Sequence, residues 1–261
     1  MFLKEIENRP PEGMMKIAFQ KLDQAGSAVP EIMHLFRFKK RNTDYLVRFT
    51  EEVMRGPSPL SRGMRELIGS YVSAKNQCGF CSSAHAPAAA QLLGKELVEE
   101  VLTDMENSRL DAAHKELFRY VGKLAENPAL VTDADVAKLK KHGWSEEAIY
   151  DALTVASLFK FYNTWNIGSG VQDMESDDYL HSGERLVTMG YCMDFSLKVI
   201  LKVMWVGRKE IRFSDLTGLV TIVLKKIIGL VLPPIVKPAT KPVVRAATAP
   251  ANSASATTAS L

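Results

Sequence analysis

The sequence predicts an all-α protein. Apolar residues recur at helical spacing through most of the first 170 positions, no run alternates convincingly with period two, and Gly or Pro breaks are followed by Ser or Asp at capping positions. A chain of 261 residues can hold one sizeable domain with an appendage, or two small domains. The expected divisions are a helical domain over 1–181, a basic and apolar helical extension over 182–236, and a disordered tail over 237–261.

Pro10-Pro11-Glu12 can open a helix whose Met15, Phe19 and Leu22 form an apolar face before Gly26. A second helix follows around 42–54. Gly56-Pro57-Ser58-Pro59 then interrupts the chain, and Ser58 or Ser61 can cap the next helix. That helix carries Leu60, Met64, Leu67, Ile68, Tyr71 and Val72 on one side and a polar stripe of Glu66, Ser70, Ser73 and Gln77 on the other. Asn76-Gln77 should end it. A new helix should begin near Cys78 and stop at Gly94, with Pro87 demanding a kink. Residues 95–106, 111–126, 133–142 and 145–167 read as four more helices, with Asp133 and Ser145 as caps and Gly143 as a stop. On the last of these, Leu153, Val155, Ala156 and Phe159 read as an exposed apolar face.

The tail has a different character. Residues 182–261 hold 11 Lys or Arg against 4 acids, and no acid follows Asp215. Leu197 to Val206 and Leu216 to Val236 are apolar, but Lys225-Lys226 interrupts the longer run, and a charge at a bilayer centre costs about 2.5–3.5 kcal/mol. A membrane span is therefore not expected. An amphipathic stretch packed on the domain and one lying peripherally on an anionic membrane are the two open readings. Basic and aromatic residues are not interleaved, which argues against nucleic acid as a partner. Three cysteines, two of them in one pair, make no disulfide framework, and the acidic start Met1-Phe2-Leu3-Lys4-Glu5 lacks an apolar signal core. A reducing, cytoplasmic setting is expected.

The chemistry concentrates in Glu66, Cys78-Gly79-Phe80-Cys81 and His85. On one helix Cys78, Cys81 and His85 share a face, and both thiols fall in the first turn, where the helix dipole favours thiolate. Zinc needs four ligands, and no second Cys-x-x-Cys or nearby His pair is present, so no metal is expected. Which thiol attacks is left open by these residues alone. The dipole and the habit of Cys-x-x-Cys sites favour Cys78; the single turn between Cys81 and His85 favours Cys81. Cys192 reads as a buried small residue. Trp165, Asn163 and Asn166 can line a pocket or simply fill the core.

Leu60-Ser61, Arg65-Glu66-Leu67-Ile68, Val72-Ser73-Ala74 and Cys78-x-x-Cys81-Ser82-Ser83-Ala84-His85 together resemble the alkylhydroperoxidase (AhpD) and carboxymuconolactone decarboxylase superfamily, in its peroxidase-related branch. The likeness extends upstream through Val29-Pro30-Glu31 and Met54-Arg55-Gly56-Pro57-Ser58, and downstream to Phe159-Lys160-Phe161-Tyr162-Asn163, covering about residues 10–175. It implies an AhpD-like helical domain that reduces hydroperoxides, with Cys81 as the attacking thiol, Cys78 as its resolving partner and His85 with Glu66 as a proton relay. In that relay Glu66 would hold a proton or polarise a water near Cys78. It also implies no bound cofactor, an external dithiol such as a lipoyl group as reductant, a peroxiredoxin as a partner, and a homo-oligomer, a trimer or larger ring. Phe80 departs from the pattern, because AhpD has a second histidine between its cysteines. A redox adaptor or disulfide reductase and a carboxymuconolactone decarboxylase-like lyase are the alternative functions; the lyase has no use for two thiols.

Overall fold

A computed structural model describes residues 1–24 and 28–191, and all regular structure among them is helical. In chain order the helices are α1 (Lys4–Asn8), α2 (Gly13–Gln24), α3 (Ile32–Phe38), α4 (Lys40–Arg55), α5 (Arg62–Lys75), α6 (Gly79–Leu93), α7 (Lys95–Asp104), α8 (Ala112–Glu126), α9 (Asp133–Lys141), α10 (Glu146–Ser169) and α11 (Ser176–Met189). The all-α expectation holds, and the helices predicted from apolar spacing are present. The extension and tail expected beyond Tyr191, with their membrane reading, lie outside the described residues, as does Cys192.

The centre is the α5–α6 hairpin. Ser61 caps α5 by accepting from the Met64 amide at 3.1 Å, so Ser61 and not Ser58 is the cap. Ser58 instead bonds Asp151 on α10. At the other end Gln77 adopts φ 57°, an uncommon value for a residue with a Cβ, and this left-handed step turns the chain so that α6 can start at once. Cys78 becomes the residue just before α6, and Cys81 sits in its first turn.

Around this hairpin α10 packs on α5, α11 on α6, and α8 on both α5 and α10. Close approach is built with glycine where the contact demands it. A Cβ at Gly69 would stand 2.4 Å from the Phe159 ring, and one at Gly183 would stand 2.6 Å from Pro87 Cβ. Pro87 is thus accommodated inside α6 at the place where α11 crosses it.

Some expectations change. Val155, Ala156 and Phe159 are fully buried, and only Leu153 is partly exposed, so the apolar face of α10 that reads as available to a second copy is spent on the protein's own core. The polar stripe of α5 is interior at Glu66, Ser70 and Ser73, which have no exposed surface, while Gln77 beyond the helix is exposed. Thr132, not Asp133, caps α9, and Asp135 completes its capping box. The short helices α1 and α3 had no clear periodic signal. Helix α11 runs through positions 181 and 182, where a division was expected, and its second half reaches the candidate site.

Candidate active site

Glu66 is the anchor. It is buried on α5 and accepts from three donors: Arg55 Nη2 at 2.5 Å, the Tyr191 hydroxyl at 2.9 and 3.0 Å, and His85 Nδ1 at 2.7 Å. Burial pushes its pKa up, but the hydrogen bond from His85 and the Arg55 guanidinium outweigh this and hold it below the usual glutamate range. Glu66 is therefore ionised and can only accept. An acceptor there fixes the hydrogen of His85 on Nδ1 and leaves the Nε2 lone pair as the base.

The His85 ring is held on both sides. Tyr191 stacks on it at 5.9 Å with planes 13° apart, and Phe159 meets it edge-on at 4.6 Å. Arg55 is fixed in turn by the Leu186 carbonyl at 2.8 Å and lies over the Tyr191 ring at 4.9 Å. The Tyr191 hydroxyl stays protonated because burial and the adjacent Glu66 carboxylate raise its pKa well above 10. Helices α4, α5, α6 and α11 thus converge on one imidazole.

His85 lies one turn beyond Cys81 on α6, and both line a cavity of about 280 Å³. Its walls are largely apolar, including Ile32, Phe36, Phe159 and Met174. Asn166 on α10 donates from Nδ2 to Cys81 Sγ at 3.1 Å, while its buried Oδ1 has no partner. Cys78 faces elsewhere, lining a second cavity of about 250 Å³ with Gly79, Asn166 and Asp173. Both thiols are free and buried. The Cys78 thiol is made more acidic by the hydrogen bond from the Cys81 thiol, against burial; Cys81, as the donor in that bond, is pushed strongly upward.

The four predicted residues fall into two groups. Glu66, His85 and Cys81 belong to one arrangement; Cys78 reaches it only through Cys81. Glu66 joins this arrangement through His85, and its other described partners are Arg55 and Tyr191. Arg55, Tyr191 and Asn166 complete the site without having been singled out for it. Arg55 lies inside the family-like stretch with no spacing signal of its own, Asn166 reads equally as a core residue, and Tyr191 lies beyond the matched segment. Among the described residues no group of three or more His, Cys, Asp or Glu side chains is placed to hold a metal ion.

Residues 42–96 match the model of the carboxymuconolactone decarboxylase family. The fold is shared with an uncharacterized peroxidase-related protein from Silicibacter sp. TM1040, 24% identical, with a TM-score of 0.57 over 67% of this chain and 91% of that one. A second solved structure, described as an alkylhydroperoxidase AhpD core and an uncharacterized peroxidase-related protein from Ralstonia eutropha JMP134, is 20% identical, with a TM-score of 0.57 over 68% and 95% of the two chains. No curated protein matches the chain. At these identities the two structures establish a common fold.

Proposed function

We propose, for a chain whose residues 42–96 match the carboxymuconolactone decarboxylase family and whose helical body has the AhpD-like fold, that it reduces organic hydroperoxides with a pair of thiols. The observation that carries this reading is Cys81 opening, with His85, onto an apolar cavity, while buried Glu66 fixes the imidazole with its base outward. His85 Nε2 takes the Cys81 proton. The thiolate attacks the distal peroxide oxygen, the O–O bond breaks, and the departing alkoxide recovers the proton from the imidazolium as an alcohol. Cys81 is left as sulfenic acid. The Cys78 thiol condenses with it, releasing water and closing a disulfide, and two electrons from an external dithiol restore both thiols.

Asn166 supports the same assignment, since an amide donor on Cys81 Sγ favours the thiolate over the thiol. The two cavities fit a division of labour in which peroxide reaches Cys81 from one side and the reducing dithiol reaches Cys78 from the other. That dithiol, a lipoyl group or similar, and a homo-oligomeric assembly belong to the proposal.

A second reading has one observation in its favour. Cys78 is the more acidic thiol of the reduced pair, as a disulfide-exchange site for a partner protein requires of its attacking sulfur. One experiment separates the two. Reduced protein receives one equivalent of cumene hydroperoxide with a sulfenic acid trap, in the wild type, Cys78→Ser and Cys81→Ser. Peroxidase chemistry at Cys81 gives a trapped adduct on Cys81 in Cys78→Ser and none in Cys81→Ser. An adduct on Cys78 reverses the roles, and unchanged thiols in all three remove the peroxidase reading in favour of exchange.

A further inference from the structure

The cavity at Cys81 is apolar over most of its wall, yet five basic side chains stand in or beside it. Four are engaged. Lys40 is paired with Asp44 at 2.5 Å, Arg37 donates to the carbonyls of Ile6 and Glu7 at 3.1 Å each, Arg55 holds Glu66, and Arg48 is also engaged. Arg185 differs. Among the described residues no hydrogen bond or ion pair holds its guanidinium, although it lines the cavity and is enclosed enough that burial lowers its pKa, with only the more distant Tyr191 and Glu66 opposing this. Glu66 cannot serve as its partner, because its two oxygens are already taken by Arg55, Tyr191 and His85.

A guanidinium cannot shed its charge by losing a proton, so Arg185, half-buried in the cavity wall and held by no anion among the described residues, keeps its full capacity to bind one. Its position in the same cavity as Cys81 and His85 makes it available to an anion that enters there. The planar fork of arginine matches a carboxylate through two parallel hydrogen bonds. The apolar remainder, including Ile32, Phe36 and Met174, disfavours a small hydrophilic anion and suits a hydrocarbon body. At about 280 Å³ the space has room for on the order of nine waters' worth of liquid, too little to enclose a long lipid chain.

We infer that this cavity binds an apolar carboxylic acid of short to medium chain length, with Arg185 holding the carboxylate. Taken with the peroxidatic role proposed for Cys81, on which this step rests, the substrate class is a hydroperoxide of such an acid.

The test uses the full reduced chain and ligands that carry no peroxide. Calorimetric titration with octanoate, 1-octanol and inorganic phosphate compares the wild type with Arg185→Gln and Arg185→Lys. The expected result is octanoate bound at least tenfold more tightly than 1-octanol by the wild type. Arg185→Gln should abolish that preference while leaving 1-octanol within twofold. If Arg185→Gln does not fold, Arg185→Lys decides, since loss of the fork should weaken octanoate threefold or more with 1-octanol unchanged. Equal wild-type affinity for octanoate and 1-octanol, octanoate binding indifferent to the substitution, or phosphate bound as tightly as octanoate would each overturn the inference. Thiol loss with uncharged tert-butyl hydroperoxide is measured in parallel. Its absence would remove the peroxidase reading and leave the octanoate result to be judged alone.

Discussion

The Tyr191 hydroxyl donates to Glu66 across 125 positions of sequence, at 2.9 Å from one carboxylate oxygen and 3.0 Å from the other. With Arg55 on one of those oxygens and His85 Nδ1 at 2.7 Å from the other, the carboxylate is a hub and not one member of a simple pair. Its charge decides which nitrogen of His85 is basic. The protonation of Glu66 therefore sets the state of the imidazole.

Glu66→Gln keeps the shape and removes the charge. A carboxamide can donate to His85 Nδ1 and so favour the wrong tautomer, and it leaves the Arg55 guanidinium buried without its anion. Cys81 oxidation should slow by about 10²-fold or more, the range associated with loss of a positioned base. Breaking a buried ion pair should cost about 3–5 kcal/mol at neutral pH. Stopped-flow thiol oxidation and thermal melts measure the two losses separately.

The same residue sets an acid limb. Its folded pKa lies below the ordinary 4.5, so as pH falls the unfolded chain binds the proton first. The stabilisation is complete above 4.5 and is lost as pH falls through the lower folded value. The difference in melting temperature between wild type and Glu66→Gln should accordingly be widest near pH 7 and shrink steadily below pH 4.5. A constant difference down to pH 3 would mean that folding does not lower the pKa of Glu66.

Asn166→Ala deletes the donor at 3.1 Å from Cys81 Sγ. Hydrogen bonds to charged groups contribute about 1.5–3 kcal/mol, so the Cys81 thiolate should become at least about tenfold scarcer at a given pH. Iodoacetamide alkylation of Cys81 in a Cys78→Ser background should slow by that factor and shift its pH profile upward. An unchanged profile would reduce Asn166 to a wall residue.

Gly183→Ala tests the seat of α11. The new Cβ would meet Pro87 Cβ at 2.6 Å and the Ala88 amide nitrogen at 3.0 Å, contacts with ring and backbone that cannot turn aside. Overpacking of this kind costs about 1–3 kcal/mol. The displacement should also slow thiol oxidation, because Leu186, one turn on, holds Arg55. Gly168→Ala on α10 is the matched control, since nothing stands within 4 Å of its Cβ and the helix should gain up to about 1 kcal/mol.

Local chemistry in the sequence reached as far as single elements reach. The spacing of Leu60, Met64, Leu67 and Tyr71 gives α5, and Cys81 and His85 one turn apart give the face of α6 that meets the cavity. Long-range pairings were not legible in the same way. Glu66 on α5 finds His85 because a left-handed Gln77 folds the hairpin, and nothing in the letter Q marks that conformation. Arg55 and Tyr191 are ordinary surface types by composition and become interior only when α4 and the end of α11 close on the hairpin. The burial of Val155, Ala156 and Phe159 had the same origin, since periodicity shows an apolar face without saying what covers it.

Where the working unit ends can be tested by shortening the chain. A domain closing at position 181, as composition suggested, would lack Arg185, the Leu186 carbonyl that fixes Arg55, and the Tyr191 hydroxyl on Glu66. Such a chain should leave Arg55 and Glu66 short of partners, melt at a lower temperature and oxidise Cys81 at least tenfold more slowly. A chain ending at 196 keeps all three groups and should oxidise Cys81 within about twofold of the full-length rate. Tyr191→Phe in the full chain isolates one contribution, where the lost hydrogen bond to a carboxylate should cost about 1.5–3 kcal/mol and leave the ring stacked on His85. Equal oxidation rates for chains ending at 181 and 196 would show that α11 and Tyr191 do not support the relay, and would place the functional boundary where composition alone had drawn it.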